Sequence, residues 1–269
     1  MPELPEVETV ARGLQKHIAG DTIDSVWIGA RHQPLKSSPD EIAAALEGAR
    51  IDCARRVGKH IAIDLHRNGS ESGQWIVHLG MTGRMLVTTP DAPIDKHTHL
   101  IAKLHSGREL RFIDPRMFGK LAVTREAFKA PGSEPLDIGF EIFVNLFRGR
   151  KTPIKSALLN QSLLSGVGNI YADESLARAG VRPRRRAASL TRNDLRRLYD
   201  ALQKVLREAI KLGGSSVSDY VGAEGERGFF QIRHLVYGRE GEPCRKCKTP
   251  IKRIVISGRS SHYCPTCQK

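Results

Sequence analysis

The residues best suited to chemistry stand at positions 1–6, with the sequence MPELPE. A small second residue generally permits removal of Met1, which would leave Pro2 as a free secondary amine. An α-amino group has a pKa of about 7.7–8.0 against about 10.4 for lysine, so more of it is unprotonated at neutral pH and able to attack a carbonyl carbon. Glu3 and Glu6 place two carboxylates nearby for proton transfer. Taken alone, the six residues still favour an ordinary helix start with proline and acidic residues.

Cysteine spacing near the C-terminus predicts a metal site. Four of the five cysteines form two pairs, Cys244 with Cys247 and Cys264 with Cys267, each separated by two residues. Each pair can chelate from a tight turn, and four thiolates complete a tetrahedral zinc site with no open position. The sequence therefore predicts one structural Zn²⁺ on a β-hairpin with basic residues. Cys53, alone in a predicted strand, is interpreted as a buried structural thiol.

Three glycine-containing segments could contact a ligand. Residues 164–171, LSGVGNIY, join two predicted helices, and glycines at a helix start let backbone N–H groups approach a phosphate. Loops 78–83 and 114–119 place Met81 and Phe118 beside glycines at tight tips. Such side chains could fill the gap left by a displaced base. The loop residues alone nevertheless favour packing in the core.

Charge is distributed unevenly along the chain. The 269 residues carry a net charge of +14; residues 1–134 hold 18 Lys/Arg and 17 Asp/Glu, and residues 135–269 hold 25 and 12. A nearly neutral half joined to a basic half predicts a polyanion partner, for which nucleic acid is favoured. An acidic membrane surface is disfavoured because no amphipathic basic helix with bulky aromatic residues is present. No apolar run reaches about 18 residues, so a cytoplasmic protein without a transmembrane helix is expected.

The elements that must position these residues follow from periodicity. Residues 5–19 predict a helix that anchors the N-terminal amine, and 39–46 predict a short second helix. Between them and residue 125, alternating or β-branched runs predict a β-sandwich or flattened barrel. Its eight strands are predicted at 22–28, 50–57, 60–65, 74–79, 84–88, 99–104, 109–113 and 120–123.

The second half is predicted to be helical. A Pro- and Gly-rich linker at 130–135 precedes helices predicted at 154–160, 169–179 and 192–212. Thr152 is expected to cap the first of these, and Thr191 with Asp194 to form a capping box on the last. The Gly- and Ser-rich segment 213–228 predicts a mobile loop.

Five motifs in order then match a known family. MPELPEVET, HLGMTGR, DPRMFG, GVGNIYADE and the four-cysteine hairpin together span nearly the whole chain. The chain resembles bacterial formamidopyrimidine-DNA glycosylase (Fpg), whose fold is shared with endonuclease VIII. The resemblance implies a multidomain α+β protein. It would have an N-terminal β-sandwich with a leading helix at 1–134, a helix–two-turn–helix domain with a lesion loop at 135–237, and a zinc-finger β-hairpin at 238–269.

The resemblance also implies an activity. Enzymes of this family excise oxidised purines such as 8-oxoguanine and formamidopyrimidines from DNA. They then cut the abasic strand by β,δ-elimination, which makes them both glycosylases and abasic-site lyases. The partner would be double-stranded DNA with damaged bases. A monomer associated with the nucleoid is expected.

The resemblance implies roles for particular residues that match functional positions of the family. Pro2 would be the nucleophile and Glu3 the acid/base. The other positions implied to be catalytic or to contact DNA are Lys59, Arg259, Glu6, His78, Met81, Arg116, Phe118, Lys155 and Asn169. Among these, Met81, Arg116 and Phe118 would fill the void, with Arg116 reading the orphaned cytosine. Segment 213–228 matches the loop that closes over the flipped base.

The sequence departs from the family pattern at two places and leaves alternatives open. Met117 stands where many relatives have arginine, and His262 stands where an aromatic residue is common. An endonuclease VIII-like enzyme for pyrimidine lesions typically has glycine where this chain has Leu4. A non-catalytic zinc-finger DNA-binding protein with an inert N-terminus is the alternative outside enzymes.

Overall fold

A computed structural model describes residues 1–216 and 220–269. The chain divides into two compact units: unit 1 comprises Met1–Lys129 with Leu212–Phe229, and unit 2 comprises Ala130–Lys211 with Phe230–Lys269. No helix in the described ranges is long and apolar enough to cross a membrane.

Unit 1 is built from two antiparallel four-stranded sheets. One has the order β2-β3-β4-β8 and the other β1-β6-β7-β5. Apolar residues of both sheets, among them Trp75 and Phe112, share one buried core with helix α1. The predicted β-sandwich with a leading helix is thereby confirmed. The elements are α1 (Leu4–Ile18), β1 (Ile23–Ile28), α2 (Pro39–Leu46), β2 (Arg50–Val57), β3 (His60–Arg67), β4 (Ser70–His78), β5 (Arg84–Thr88), β6 (Thr98–Leu104), β7 (Glu109–Ile113) and β8 (Lys120–Thr124).

Unit 2 combines helices with a two-stranded hairpin. Its α-helices are α3 (Phe140–Phe147), α4 (Ile154–Leu158), α5 (Asn169–Ala179) and α6 (Arg192–Lys211). The hairpin strands are β9 (Lys252–Ile256) and β10 (Arg259–Tyr263), and single 3-10 turns form at Ala187–Ser189 and Phe230–Arg233. The predicted capping box on α6 is confirmed, since Asp194 N–H donates to Thr191 Oγ1 and Thr191 N–H to Asp194 Oδ2, both at 3.1 Å.

Two helix predictions in unit 2 need correction. Thr152 does not cap α4; the N-cap is Pro153, and the helix runs only from Ile154 to Leu158. Pro153 has ψ of 141°, an extended value outside the helical region, so the helix begins at Ile154 as predicted but ends two residues before the predicted residue 160. Helix α3 was missed, because its N-cap is Gly139, which makes no side-chain capping bond.

Candidate active site and nucleic-acid interface

The N-terminal residues are held by a helix that is firmly seated in unit 1. Helix α1 buries Val7, Leu14 and Ile18, among others, against the sandwich core. Glu3 is the N-cap and is only 3 % exposed. A reactive group attached to such a helix is positioned far more narrowly than one on a free tail, as covalent catalysis requires.

Glu6 connects the helix start to the returning segment of unit 1. Its Oε2 accepts the Glu3 N–H at 2.8 Å, and its Oε1 accepts the Ser215 N–H at 2.7 Å. Gly214 has φ of +79°, and a Cβ there would lie 2.8 Å from Glu6 Oε1, so the close approach requires glycine. The Tyr220 hydroxyl donates to the Glu6 carbonyl oxygen at 3.3 Å. Glu6 therefore bonds to the protein's own groups instead of facing solvent.

This segment is the one predicted as a mobile loop at 213–228. Its described residues are tied to helix α1 at both sides of positions 217–219, which lie outside the described residues. Burial raises the pKa of Tyr220, with the Glu6 carboxylate acting in the same direction. The Tyr220 phenol thus stays protonated and able to donate at neutral pH.

Lys59 is carried by the two-residue turn between β2 and β3. Gly58 precedes it with φ of 60°, the conformation that such hairpin turns require of a central residue. Arg56, in the strand before the turn, donates to the Gly58 carbonyl at 3.1 Å and to Glu8 of α1 at 2.8 Å. The turn is therefore braced against the helix that bears Pro2 and Glu3.

His78, at the end of β4, is held as a neutral ring. Burial lowers its pKa to about 4, and the neighbouring His60, Lys120 and Lys59 lower it in the same direction. The Gly80 N–H donates to His78 Nδ1 at 3.2 Å, so Nδ1 is an acceptor and the ring proton sits on Nε2. His78 can therefore offer a hydrogen bond to a ligand without adding a full charge.

The lowered pKa predicts a loss of stability in acid. Between pH 6.5 and 4, His78 binds a proton in the unfolded chain but not in the folded protein. The stability contributed by the neutral His78 ring is therefore fully present above pH 6.5 and decreases as the pH falls. We expect His78 to lower the unfolding free energy by about 1–2 kcal/mol at pH 5 relative to pH 7, allowing for its partial exposure. In His78→Asn the side-chain oxygen can still accept the Gly80 N–H but cannot titrate. Urea denaturation at both pH values should show a smaller pH dependence for this variant, and an equal dependence would contradict the assignment.

Two loops of unit 1 present apolar side chains to solvent. Met81 is 39 % exposed and Phe118 is 52 % exposed, so the interpretation that they pack in the core is wrong. Arg116 is also exposed, and its guanidinium carbon lies 4.9 Å from the centre of the Phe118 ring. The structure thus displays two apolar groups and one planar cation in neighbouring loops.

Asp114, for which no role was predicted, connects this pair of loops. It is completely buried and accepts hydrogen bonds from Thr82 Oγ1 at 2.6 Å and from the Gly119 N–H at 2.7 Å. The two backbones also meet closely, since a Cβ at Gly80 would lie 2.5 Å from the Gly119 nitrogen. Met117 adopts φ of +56°, a left-handed conformation uncommon outside glycine. Its departure from the family pattern thus falls on a residue with a left-handed backbone conformation.

In unit 2, the four predicted ligands Cys244, Cys247, Cys264 and Cys267 come together. All four sulfur atoms lie within 4.8 Å of one another. The Sγ–Sγ distance is 4.0 Å for Cys244 and Cys267 and 3.4 Å for Cys247 and Cys264. Zn–S bonds of about 2.3 Å in a tetrahedron place sulfurs about 3.8 Å apart, so this donor set fits Zn²⁺.

The hairpin attached to this cluster exposes Arg259. Ser257 and Gly258 form its two-residue turn with φ of 47° and 74°, the type I′ geometry favoured between twisted strands. Arg259 follows as the first residue of β10 and is exposed. Asn169, the first residue of α5, donates from Nδ2 to Ser260 Oγ at 3.2 Å.

Lys155 is placed where its side chain does not face solvent, unlike a residue that binds a DNA phosphate directly. Its side chain is completely buried, and its Nζ lies 2.6 Å from Asp173 Oδ1. The next residue along α5, Glu174, is also buried and accepts backbone N–H groups of Leu235, Val236 and Tyr237 at 2.8–3.0 Å. Both acids lie in the motif GVGNIYADE, and the signal that could have identified them is two adjacent carboxylates on a predicted helix.

Three ranges of the chain match known protein families. Residues 1–121 match the formamidopyrimidine-DNA glycosylase N-terminal domain, and residues 131–221 match the formamidopyrimidine-DNA glycosylase H2TH domain. Residues 241–269 match the zinc finger found in FPG and IleRS. Together with the four-cysteine cluster, this last match confirms the predicted zinc site. The three matches together confirm the predicted fold class.

Full-length relatives agree with these matches. The formamidopyrimidine-DNA glycosylase of Solibacter usitatus is 46 % identical over 100 % of both chains. A Lactococcus lactis Fpg variant bound to Fapy-dG-containing DNA superposes with a TM-score of 0.90 at 33 % identity, covering 100 % of both chains. Lactococcus lactis Fpg bound to abasic-site DNA gives 0.90 at 33 % identity over 99 % of both. The chain therefore belongs to the formamidopyrimidine-DNA glycosylase family.

Proposed function

We propose that this chain is a bifunctional DNA glycosylase and abasic-site lyase of base excision repair that acts on oxidised purines. The observation that carries the proposal is the Pro2–Glu3 pair at the start of a helix seated in the core. Two solved relatives support it, because their partners are DNA with a formamidopyrimidine and DNA with an abasic site. The domain division at 134 and 237 stays a prediction.

Pro2, freed by removal of Met1, would act as the nucleophile. Its nitrogen forms a bond to the sugar C1′ while the bond from C1′ to the base breaks, and the base leaves with the electron pair and takes up a proton. Glu3 gives a proton to the ring oxygen as the sugar opens, which leaves a C1′ iminium ion on Pro2.

Strand cleavage then follows from the same intermediate. The iminium withdraws electrons and acidifies C2′, so loss of the C2′ proton expels the 3′ phosphate in β-elimination. Loss of the C4′ proton expels the 5′ phosphate in δ-elimination. Water finally releases Pro2. Proton transfers by Glu3 and the reactivity of the amine therefore account for both activities.

DNA recognition would use exposed and half-buried groups of each unit. An enzyme must extrude a nucleotide to reach C1′, and exposed Met81 and Phe118 are suited to fill the resulting gap. Arg116 would face the orphaned cytosine beside them. Phosphates would be bound by the cations and donors Lys59, His78, Asn169 and Arg259. Since both Glu6 carboxylate oxygens accept backbone N–H groups and Lys155 is paired with Asp173, we assign Glu6 and Lys155 to positioning instead of direct contact.

The proposal includes the setting of the enzyme. Its partner would be double-stranded DNA with damaged bases, bound by a monomer associated with the nucleoid in the cytoplasm. The basic half of the sequence supports a phosphate partner, because such binding depends on neutralised phosphates and released counterions. Leu4 and the set Met81, Arg116 and Phe118 favour purine over pyrimidine lesions.

Borohydride trapping tests the proposal directly. Borohydride reduces a transient iminium to a stable protein–DNA crosslink, so incubation with a duplex carrying 8-oxoguanine opposite cytosine should yield a crosslink that maps to Pro2. Full-length protein that retains Met1, verified by mass spectrometry, is the matched control and should give none. A crosslink with oxidised pyrimidine but not with 8-oxoguanine would instead indicate an endonuclease VIII-like specificity. DNA binding without a crosslink on any lesion or abasic site would leave only a binding protein.

A further inference from the structure

Unit 2 contains an ion pair withdrawn completely from solvent. The side chains of Lys155 of α4 and Asp173 of α5 are both 0 % exposed, and Lys155 Nζ lies 2.6 Å from Asp173 Oδ1. Removing two charges from water is costly, and such a pair often contributes little net stability compared with apolar residues. Its other bonds therefore indicate what the pair does.

Those bonds converge on one short stretch of β10. Lys155 Nζ donates to the Ser260 carbonyl oxygen at 2.5 Å. Asp173 Oδ1 accepts from Ser261 Oγ at 3.0 Å, and Oδ2 accepts from the His262 N–H at 2.8 Å. Three consecutive residues that follow Arg259 are thus bonded to one buried pair.

The same two helices also reach the other residues around Arg259. Ser156, next to Lys155 on α4, shares a hydrogen bond with Ser257 at 2.8 Å between hydroxyl oxygens. Asn169 at the start of α5 donates to Ser260 Oγ at 3.2 Å. Exposed Arg259 therefore lies between residues that are hydrogen-bonded to the helices: Ser257 before it to α4, and Ser260 after it to α4 and α5.

We propose that Asp173, through its ion pair with Lys155, is a positioning residue that fixes the direction of Arg259 toward a DNA phosphate. This inference rests on the proposed function, which makes Arg259 a DNA contact. An arginine on a fixed backbone loses less conformational freedom on binding than one on a loose hairpin, so its contact is stronger. Asp173 itself touches no DNA and acts through Arg259.

A double-mutant cycle tests the proposal on the full-length, zinc-loaded protein. The readout is affinity for a duplex with a tetrahydrofuran abasic analogue at one stated salt concentration, since phosphate contacts depend on salt. We expect Asp173→Asn and Arg259→Ala each to weaken binding by about tenfold, the range of a hydrogen bond to a charged group. In the Arg259→Ala background, Asp173→Asn should add less than about twofold, because the residue it positions is absent.

The matched control is a second acidic residue of unit 2 that also pairs with arginine. Glu208 lies 2.6 Å from Arg178, is 38 % exposed and belongs to α6. Glu208→Gln removes an ion pair without releasing β10, so we expect affinity within about twofold of the wild type. Ser261→Ala is the milder variant should Asp173→Asn fold poorly. It removes one bond to Asp173, and its smaller loss of affinity should likewise vanish with Arg259→Ala.

Independent effects of Asp173→Asn and Arg259→Ala, or unchanged affinity in both Asp173→Asn and Ser261→Ala, would overturn the positioning role. These results are separate from the proposed chemistry, because the affinity assay contains no cleavable base. If the wild type gave no borohydride crosslink, the proposed enzyme activity would be refuted, but the double-mutant cycle could still be interpreted. Independent effects in the cycle together with normal trapping would refute the positioning role alone.

Discussion

Replacing Glu3 with glutamine is expected to reduce excision of 8-oxoguanine by at least about 100-fold, the scale of general acid–base catalysis. Glutamine has the same shape as Glu3 but cannot supply the proton that ring opening needs. The Glu3 N–H bond to Glu6 involves only the backbone of residue 3, and a glutamine side-chain oxygen can still accept the Glu6 N–H of the capping box, so the helix start should be preserved. Single-turnover excision on a duplex with 8-oxoguanine opposite cytosine measures the effect, and DNA affinity should stay within about twofold of wild type.

A preformed abasic site distinguishes lost chemistry from a lost nucleophile. Such a site already presents an aldehyde, so the amine of Pro2 should still form a trappable iminium in the Glu3→Gln protein. Glu71→Gln, an exposed change on β4 of the same unit, is the control and should excise normally. Excision at the wild-type rate by Glu3→Gln would refute the role assigned to Glu3.

Local sequence signals predicted much of the fold. The strands Arg50–Val57 and Glu109–Ile113 and the helix Asn169–Ala179 have the predicted bounds. Each is delimited by turn residues or glycine next to a clear period, which are short-range properties. Helix Phe140–Phe147 was missed, since it is short and rich in residues that also suit strands.

In the candidate site, too, local sequence signals predicted some features and not others. The zinc ligands were predictable, because chelation by two-residue spacing is itself local, and all four cysteines meet. The bond from Ser215 to Glu6 joins residues 209 positions apart, and no periodicity reports such a contact. Lys155 was predicted to contact DNA because it matches a contact position of the family, whereas its burial depends on Asp173 and β10. Long-range polar partners decide whether a charged residue binds a ligand or holds the protein together.

Cys53 shows how a neighbouring carboxylate affects the state of a thiol that is not a metal ligand. The isolated thiol of Cys53 was expected to be buried, and the structure makes it only half-buried. Its Sγ donates to Asp64 Oδ2 at 2.8 Å. Burial, followed by the Asp64 carboxylate, raises the pKa of Cys53 to about 11, so the thiol stays protonated at neutral pH. A metal ligand must be a thiolate, which sets Cys53 apart from the four clustered cysteines.

This contrast supplies the control for the second large effect, the loss of zinc. Cys247→Ser is expected to weaken binding to lesion-containing duplex at least tenfold, because a structural Zn²⁺ contributes about 10–16 kcal/mol of apparent binding energy in isolated zinc fingers. Without the ion, the hairpin that carries Arg259 loses the tie at its cysteine end. The bonds from α4 and α5 to Ser260–His262 remain, so the loss should fall on the hairpin instead of the whole unit.

Zinc content and DNA affinity should therefore both fall in Cys247→Ser, and neither should change in Cys53→Ser. Cys247→Ser should bind less than one zinc per chain and show weakened DNA binding at matched salt, while Cys53→Ser should keep one zinc and wild-type affinity. Trapping on a preformed abasic site should persist in Cys247→Ser at DNA concentrations that restore binding, because Pro2 and Glu3 belong to unit 1. Unchanged affinity despite lost zinc would mean that the helix contacts alone hold Arg259 in place. An irreversible loss of trapping would mean instead that the ion supports unit 1 as well.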